Sequence, residues 1–161
     1  MEKESGLEEM KKEYGKLTEK HKLPSFNEMN EDFHIEKIAE NETEILIREI
    51  RRYIGEKMSN YLRVVEAFLN PSNVPMFVFS TVKTINSEDK QKLSEIYKKL
   101  SKSEINLIEL DLKFSEEKEA DFIKESFKTW QEIKEELLGI IEGIKKNWDS
   151  KSESAIKGYF G

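Results

Sequence analysis

Residues 44–69 read EILIREIRRYIGEKMSNYLRVVEAFL, and this stretch decides the fold. Its large apolar side chains recur at steps of three and four residues, which is the spacing of one face of an α-helix. Asn41 or Thr43 can cap the start, and Asn70-Pro71 ends the run, because proline disfavours a helical conformation in the residue before it. The pattern predicts a long core helix over residues 43–69 with these inward-facing residues: Ile47, Ile50, Ile54, Met58, Tyr61, Val65 and Phe68.

A second long amphipathic pattern lies near the C-terminal end. Ser115 can cap a helix there, and the apolar residues that follow have the spacing of a helix-bundle seam. The pattern predicts a second spine helix over residues 116–148. Residues 149–161 are rich in Ser, Lys and Gly and carry no sustained apolar stripe, so we expect a flexible tail. The seam residues are Phe127, Trp130, Ile133, Leu137, Ile140, Ile144 and Trp148.

Shorter amphipathic segments predict further helices over residues 2–21, 26–34 and 87–100. The first of these has one narrow apolar stripe, and a single stripe does not hold a lone helix together in water. We therefore expect an all-α, single-domain bundle of five to seven helices. Residues 1–22 would form an N-terminal helix docked on a helical bundle that spans residues 23–148.

Residues 76–85 and 105–114 fit both helix and strand. The first stretch has a strand-like composition, but Pro75 stands near the position where a helix would begin. In the second, apolar residues alternate from Ile108 to Phe114 as in a strand, but they also fit a helix. Two strands alone make a poor parallel sheet, because parallel sheets are normally covered on both faces. We favour helices, and an α+β fold with strands in both stretches is the alternative.

Composition and charge exclude several classes of protein. The chain has 161 residues, of which 37% are charged, and a net charge of −6. This size predicts one domain, and the charge argues against a general nucleic-acid binder. The absence of cysteine excludes disulfides and thiolate–metal sites. No run approaches the ~18 apolar residues of a membrane span, and residues 1–4 are too charged for a signal peptide, so we expect a cytoplasmic protein without a membrane partner.

No motif for catalysis stands out. The seven glycines form neither a phosphate-binding loop nor a dinucleotide fingerprint, and no serine lies in a nucleophile elbow. The acidic segment 104–121 contains Glu116, Glu117 and Asp121, which are suitable ligands for a hard cation. The two glutamates also stand where acids stabilise the start of a helix. We expect no cofactor and no bound metal, and an enzyme or metal-binding protein built on this segment is one alternative.

The distribution of arginine is the most informative functional signal. The chain has 27 basic residues, and its four arginines, Arg48, Arg51, Arg52 and Arg63, all lie in the long core helix. At about 100° per residue they form a stripe on the face away from the apolar stripe of that helix. Arginine offers a planar fork that pairs with a carboxylate or phosphate through two hydrogen bonds. These four residues are therefore the candidate binding residues.

The arginines allow two interpretations. In one, they pair within the chain, either with Glu44, Glu56 and Glu66 of their own helix or with acids of residues 23–42 and 103–121. In the other, they bind an external acidic or phosphorylated partner. We predict a non-catalytic α-helical interaction or adaptor protein whose protein partner is unknown. A phosphate- or nucleic-acid-binding module that uses the arginine stripe is the alternative.

Gly139 and Gly143 lie one turn apart inside the last predicted helix, where each costs roughly 1 kcal/mol against alanine. They point away from the apolar seam of that helix. They either allow a close helix–helix approach, within the chain or between chains of a homo-oligomer, or are tolerated because the other face holds the helix.

Overall fold

The computed structural model describes the backbone of residues 2–160 and the side chains of residues 5–72 and 74–150. The described part contains six α-helices, two short 3-10 helices and no strand. The α-helices are α1 Glu2–His21, α2 Phe26–Phe33, α3 Leu46–Leu69, α4 Met76–Val82, α5 Ser87–Leu112 and α6 Glu116–Phe160, and the 3-10 helices are Ile35–Glu40 and Pro71–Asn73. The all-α prediction is confirmed. The alternative with strands at 76–85 and 105–114 is wrong, because α4 and α5 occupy most of both stretches.

The helices α3 and α5 pack side by side in opposite directions. Arg51, near the start of α3, pairs with Asp111 near the end of α5. Two turns further along α3, the Ser59 hydroxyl donates to the carboxylate of Glu104, which lies two turns back along α5. This antiparallel register places the N-terminal half of α3, which carries Arg48, Arg51 and Arg52, beside the C-terminal half of α5.

The helix α6 completes a three-helix bundle and runs parallel to α3. Arg51 contacts Glu119 near the start of α6, and further along both helices the ring centroids of Tyr61 and Trp130 lie 4.8 Å apart. Burying one such aliphatic or aromatic side chain contributes about 1.5–3 kcal/mol, so the shared core holds the three helices together. Its fully buried residues include Ile50, Ile54, Met58, Leu93, Ile96, Leu100 and Ile123.

The N-terminal helices pack against the start of the bundle. Lys20 Nζ donates to Glu116 Oε1 over 2.7 Å, and His21 Nε2 lies 2.7 Å from the same oxygen. The Tyr14 hydroxyl donates to the Pro24 carbonyl over 2.7 Å, which ties α1 to the chain that leads into α2. The helix α1 thus docks on α6 through polar contacts and on α3 and the first 3-10 helix through its apolar stripe.

The start of α3 differs from the prediction. The helix begins at Leu46 after Ile45, whose side chain makes no capping hydrogen bond. The predicted caps, Asn41 and Thr43, lie outside the helix, because the preceding chain folds as a 3-10 helix as far as Glu40 and then turns. Packing of residues 35–40 on α1 and α3 therefore decides where α3 begins.

Two other helices are longer than predicted. The helix α5 continues past Leu100 to Leu112, because the intervening residues include neither proline nor glycine to end it. The backbone of α6 continues to Phe160, beyond the predicted end at residue 148. The side chains from residue 151 onward lie outside the described residues, so the mobility of residues 149–161 stays a prediction.

Candidate functional site

The four arginines of α3 do not share one surface. Arg51 lies only about 60° from the centre of the apolar stripe on a helical wheel. The structure places its side chain in the core, with 1% of its surface exposed. The predicted stripe facing away from the core is therefore wrong for this residue. The physical reason is that α5 and α6 both pack on α3, which makes its buried arc wider than its aliphatic stripe.

Arg51 is held by carboxylates of its own chain. Its Nε donates to Glu119 Oε2 over 2.5 Å, one Nη donates to Glu119 Oε1 over 3.2 Å, and the other donates to Asp111 Oδ1 over 2.7 Å. Burial lowers the pKa of Arg51, but these hydrogen bonds outweigh burial and raise it above its ordinary value. The side chain is a structural link between three helices, because its fork has no free edge for an external partner.

Arg52 and Arg63 lie on the surface and contact neighbours on α3. Arg52 donates to Glu49 and Arg63 donates to the Asn60 side chain, each over 3.2 Å. Both contacts use the i−3 residue, whereas the sequence suggested pairs with Glu56 and Glu66. Exposed pairs of this kind contribute about 0–1 kcal/mol, so they hold neither side chain firmly.

Unlike the other three arginines, Arg48 has no hydrogen-bonded side-chain partner among the described residues. Its guanidinium lies over the ring of Phe114, 5.3 Å from the ring centroid. Its Nε–H is shielded from solvent and has no hydrogen-bond partner in the described part of the chain. Stacking on an aromatic ring fixes the plane of the guanidinium and leaves its outer edge available to an acceptor.

An exposed apolar stripe runs along α5 beside this arginine. Ile105, Ile108 and Leu112 follow one another at i, i+3 and i+7, which places them on one helical face. Their exposed fractions are 67%, 57% and 83%. Single exposed apolar residues are ordinary on protein surfaces, but three in a row at helical spacing are the pattern of a helix-docking face. The stripe together with Arg48 and Phe114 is called the α3–α5 surface below.

A groove of about 380 Å³ connects the stripe with α3. Its walls include Arg52 and Gly55 of α3 and Ile108 of α5. A Cβ atom placed on Gly55 would lie 2.6 Å from a methyl carbon of Leu107, so the glycine lets the two helices approach closely here. This approach fixes the position of the α5 stripe relative to the arginines.

The sequence pattern pointed to the arginines but not to the exposed stripe. Residues 105–114 hold too many apolar side chains for one buried helical face, and this excess was the available signal. The structure divides them: Leu107 and Leu110 pack inward, whereas the stripe stays outside.

The acidic segment 104–121 spreads its carboxylates over separate ion pairs. Glu119 binds Arg51, Glu109 binds Lys118, and Glu116 binds Lys20 and His21. The contacts with Lys20 and His21 lower the pKa of Glu116. Among the described residues no three histidine or acidic side chains converge as they would around a metal ion.

Comparison with known proteins does not assign a family. No protein-family model, curated protein or solved structure matches the chain. In the described part of the chain, no helix combines the length and the apolar character needed to cross a membrane. The function is therefore argued from the α3–α5 surface.

Proposed function

We propose that this protein is a non-catalytic helical interaction protein whose α3–α5 surface binds an amphipathic helix of a partner protein. The observation that supports the proposal is the exposed stripe of Ile105, Ile108 and Leu112 beside the unpaired guanidinium of Arg48. The partner helix would carry apolar residues at i, i+3 and i+7 and a carboxylate at the end that meets Arg48.

The apolar stripe supplies the affinity in this proposal. A partner helix laid along α5 removes three large aliphatic side chains from water, and each such burial is worth about 1.5–3 kcal/mol before the costs of association. The adjoining groove between Arg52 and Ile108 gives the partner side chains a recess rather than a flat wall. Anchors that fill recesses carry most of the energy of such interfaces.

Arg48 supplies the orientation. Because α3 and α5 are antiparallel, this arginine stands at the Leu112 end of the stripe, where it stacks on Phe114. A carboxylate on the partner can accept two parallel hydrogen bonds from a guanidinium, and lysine cannot reproduce that geometry. A helix bound in the reverse direction would leave its carboxylate at the wrong end of the stripe.

The alternative in which four arginines bind phosphate or nucleic acid has less support. Arg51 is buried and bound to two acids, and Arg52 is paired with Glu49. Arg63 lies fifteen residues beyond Arg48 on α3, or about 22 Å along the helix. One unpaired guanidinium beside an apolar stripe suits a peptide carboxylate better than a polyanion.

Selection from a phage-displayed library of helical peptides tests the proposal. We expect enrichment of peptides with the apolar i, i+3, i+7 pattern and a terminal acid. Ile108→Glu should weaken the binding of a selected peptide about tenfold or more, because loss of one buried aliphatic side chain exceeds 1.4 kcal/mol. Arg48→Lys should weaken peptides that carry the acid and spare those in which it is replaced by glutamine.

Arg63→Lys is the matched control, since it changes an exposed arginine of the same helix away from the stripe. Melting temperatures should stay close to that of the parent protein, because Ile108 and Arg48 are changed at the surface. Selected peptides that bind Ile108→Glu as tightly as the parent protein would disprove the proposed surface.

A further inference from the structure

A second apolar surface lies where α4 meets α6, and it shares no residue with the α3–α5 surface. Met76 and Phe77 of α4 are 81% and 63% exposed, and Trp148 of α6 is 47% exposed. Between α4 and α6 is a groove of about 510 Å³, lined mainly by Phe68, Phe77, Val78, Ile144 and Trp148. A mainly apolar groove with aromatic side chains at its rim is suited to burial against another apolar surface.

The helix α6 is much longer than the helices that pack against it. It has 45 residues and α5 has 26, a difference of about 28 Å at 1.5 Å per residue. Among the residues of α6 whose side chains the structure describes, Ile144 is the last apolar one packed on the core, and residues 145–150 are all exposed. A helix in water is held mainly by packing of its amphipathic face. An apolar partner surface would therefore stabilise residues 145–150 of α6.

Ile141 and Trp148 mark the face of α6 that is available for such a partner. They are seven residues apart and so lie on the same side of the helix, and both are exposed. Gly139 and Gly143 lie on the opposite side at about 100° per residue and take no part in this face. Two copies of α6 laid antiparallel would place Trp148 of each copy against Ile141 of the other, which is a self-complementary arrangement.

The charges beside this face suit the same antiparallel arrangement. Glu142 and Lys145 lie on one flank of the Ile141–Trp148 face. Neither has an ion-pair partner within the described part of the chain. In an antiparallel pair of helices, equal flanks face each other, so Glu142 of each copy would stand beside Lys145 of the other. A parallel pair would not bring these opposite charges together.

We infer that the partner for this surface is a second copy of the chain. The dimer is isologous, with the α6 helices antiparallel and centred between Ile141 and Trp148, and the apolar groove between α4 and α6 buried at its edge. The inference goes beyond the proposed function, and it concerns residues outside the α3–α5 surface.

The mass of the 161-residue chain in solution tests the inference, measured by light scattering after gel filtration over a range of concentrations. The parent protein should be a dimer, and Trp148→Glu should raise its dissociation constant about tenfold or more, as expected for a central aromatic anchor. Tyr97→Glu on α5 is the matched control, because Tyr97 is a similarly exposed aromatic residue outside this face. Its dissociation constant should equal that of the parent.

A charge exchange separates contacts between copies from contacts within one copy. Glu142→Lys and Lys145→Glu should each weaken the homodimer, because each creates two like-charged pairs. When the two variants are mixed, every facing pair becomes opposite in charge, so a heterodimer should form preferentially. An ion pair inside one chain cannot produce this recovery. Glu95→Lys, the same charge change on α5, is the control and should neither weaken the dimer nor pair with Lys145→Glu.

Circular dichroism of each variant establishes that it is folded before its mass is interpreted. A monomeric parent protein would overturn the inference, and so would a dimer that Trp148→Glu leaves intact. A dimer that the charge variants weaken but that does not recover on mixing would overturn the antiparallel arrangement. Binding of the monomer to phosphatidylcholine vesicles, lost in Trp148→Glu, would assign the surface to lipid instead. Peptide binding to the α3–α5 surface is measured separately, so either proposal can fail alone.

Discussion

The guanidinium of Arg51 and the carboxylate of Glu119 form a bidentate ion pair in the core, with 2.5 Å between Nε and Oε2. Both side chains are at most 1% exposed. Removing Arg51 leaves the Glu119 carboxylate buried and uncompensated, which typically costs about 3–5 kcal/mol, whereas removing Glu119 leaves the guanidinium paired with Asp111. We therefore expect Arg51→Leu to lower the free energy of unfolding by that amount in urea titrations, and Glu119→Leu to lower it by less, because Asp111 still pairs with Arg51. Arg63→Leu, an exposed control on the same helix, should change it by less than about 1 kcal/mol.

Replacing both partners tests whether the pair is a source of stability or of specificity. The double variant Arg51→Met, Glu119→Leu removes both charges and keeps apolar volume in the core. Buried ion pairs can often be replaced in this way at little cost, because the desolvation penalty disappears together with the attraction. We expect the double variant to be more stable than Arg51→Leu by at least about 2 kcal/mol. A loss equal to the sum of both single losses would contradict this account.

The helical spine was predictable because its signals are local. The apolar spacing of residues 44–69 and the Asn70-Pro71 stop act within one helix, and α3 ends where they predict. The start of α3 was not predictable, because tertiary packing of residues 35–40 replaces the expected caps. The same limit applies to Arg51, whose burial depends on Glu119, 68 residues away in the sequence.

The candidate site was only partly predictable, because part of its signal is local and part depends on packing between helices. Arginine usage directed attention to α3, but which arginine stays unpaired depends on the register between helices. Asp111 meets Arg51, and Arg48 meets the ring of Phe114 instead of an acid. The exposed stripe of α5 could not be identified from the sequence alone. Sequence spacing places two apolar faces on residues 105–114 and does not say which of them the core covers.

Substitution by alanine should have opposite effects on the free energy of unfolding at Gly55 of α3 and at Gly143 of α6. A Cβ at Gly143 meets nothing within 4 Å, whereas one at Gly55 would lie 2.6 Å from Leu107. Gly143→Ala should therefore raise the free energy of unfolding by about 0.5–1 kcal/mol through helix propensity. Gly55→Ala has the same propensity gain but forces Leu107 to move, so overpacking by about 1–3 kcal/mol should make it destabilising. Thermal unfolding followed by circular dichroism measures both changes.

A second substitution tests the cause of the Gly55 effect. Leu107→Ala opens space at the contact, so Gly55→Ala should be less harmful in that background than in the parent protein. An equal loss in both backgrounds would show that Leu107 is not the obstacle.

Asp32 at the end of α2 should make the protein sensitive to acid. Its carboxylate accepts hydrogen bonds from Gln131 over 2.5 Å and Lys134 over 3.1 Å, and its backbone carbonyl accepts one from Lys57. Burial raises the pKa of the Asp32 carboxyl, but the hydrogen bonds from α6 outweigh burial and hold the pKa below its ordinary value of 3.8. The ionised carboxylate thus fastens α2 to α6.

The direction of the pKa shift gives the sign of the pH dependence. The folded-state pKa of Asp32 is lower than the unfolded-state pKa, so its contribution is complete above the ordinary value and is lost as the pH falls toward the folded-state pKa. Asp32→Asn should lower the free energy of unfolding at pH 7 by about 1.5–3 kcal/mol, the range for hydrogen bonds to a charged group. The difference from the parent protein should shrink below about pH 4.

Urea titrations between pH 7 and pH 3 measure this difference in the free energy of unfolding, with Glu95→Gln as the control for loss of one surface carboxylate. If the difference in unfolding free energy between Asp32→Asn and the parent protein stays constant over this range, Asp32 acts by packing. A packing contribution does not depend on ionisation of the carboxyl and therefore does not change with pH.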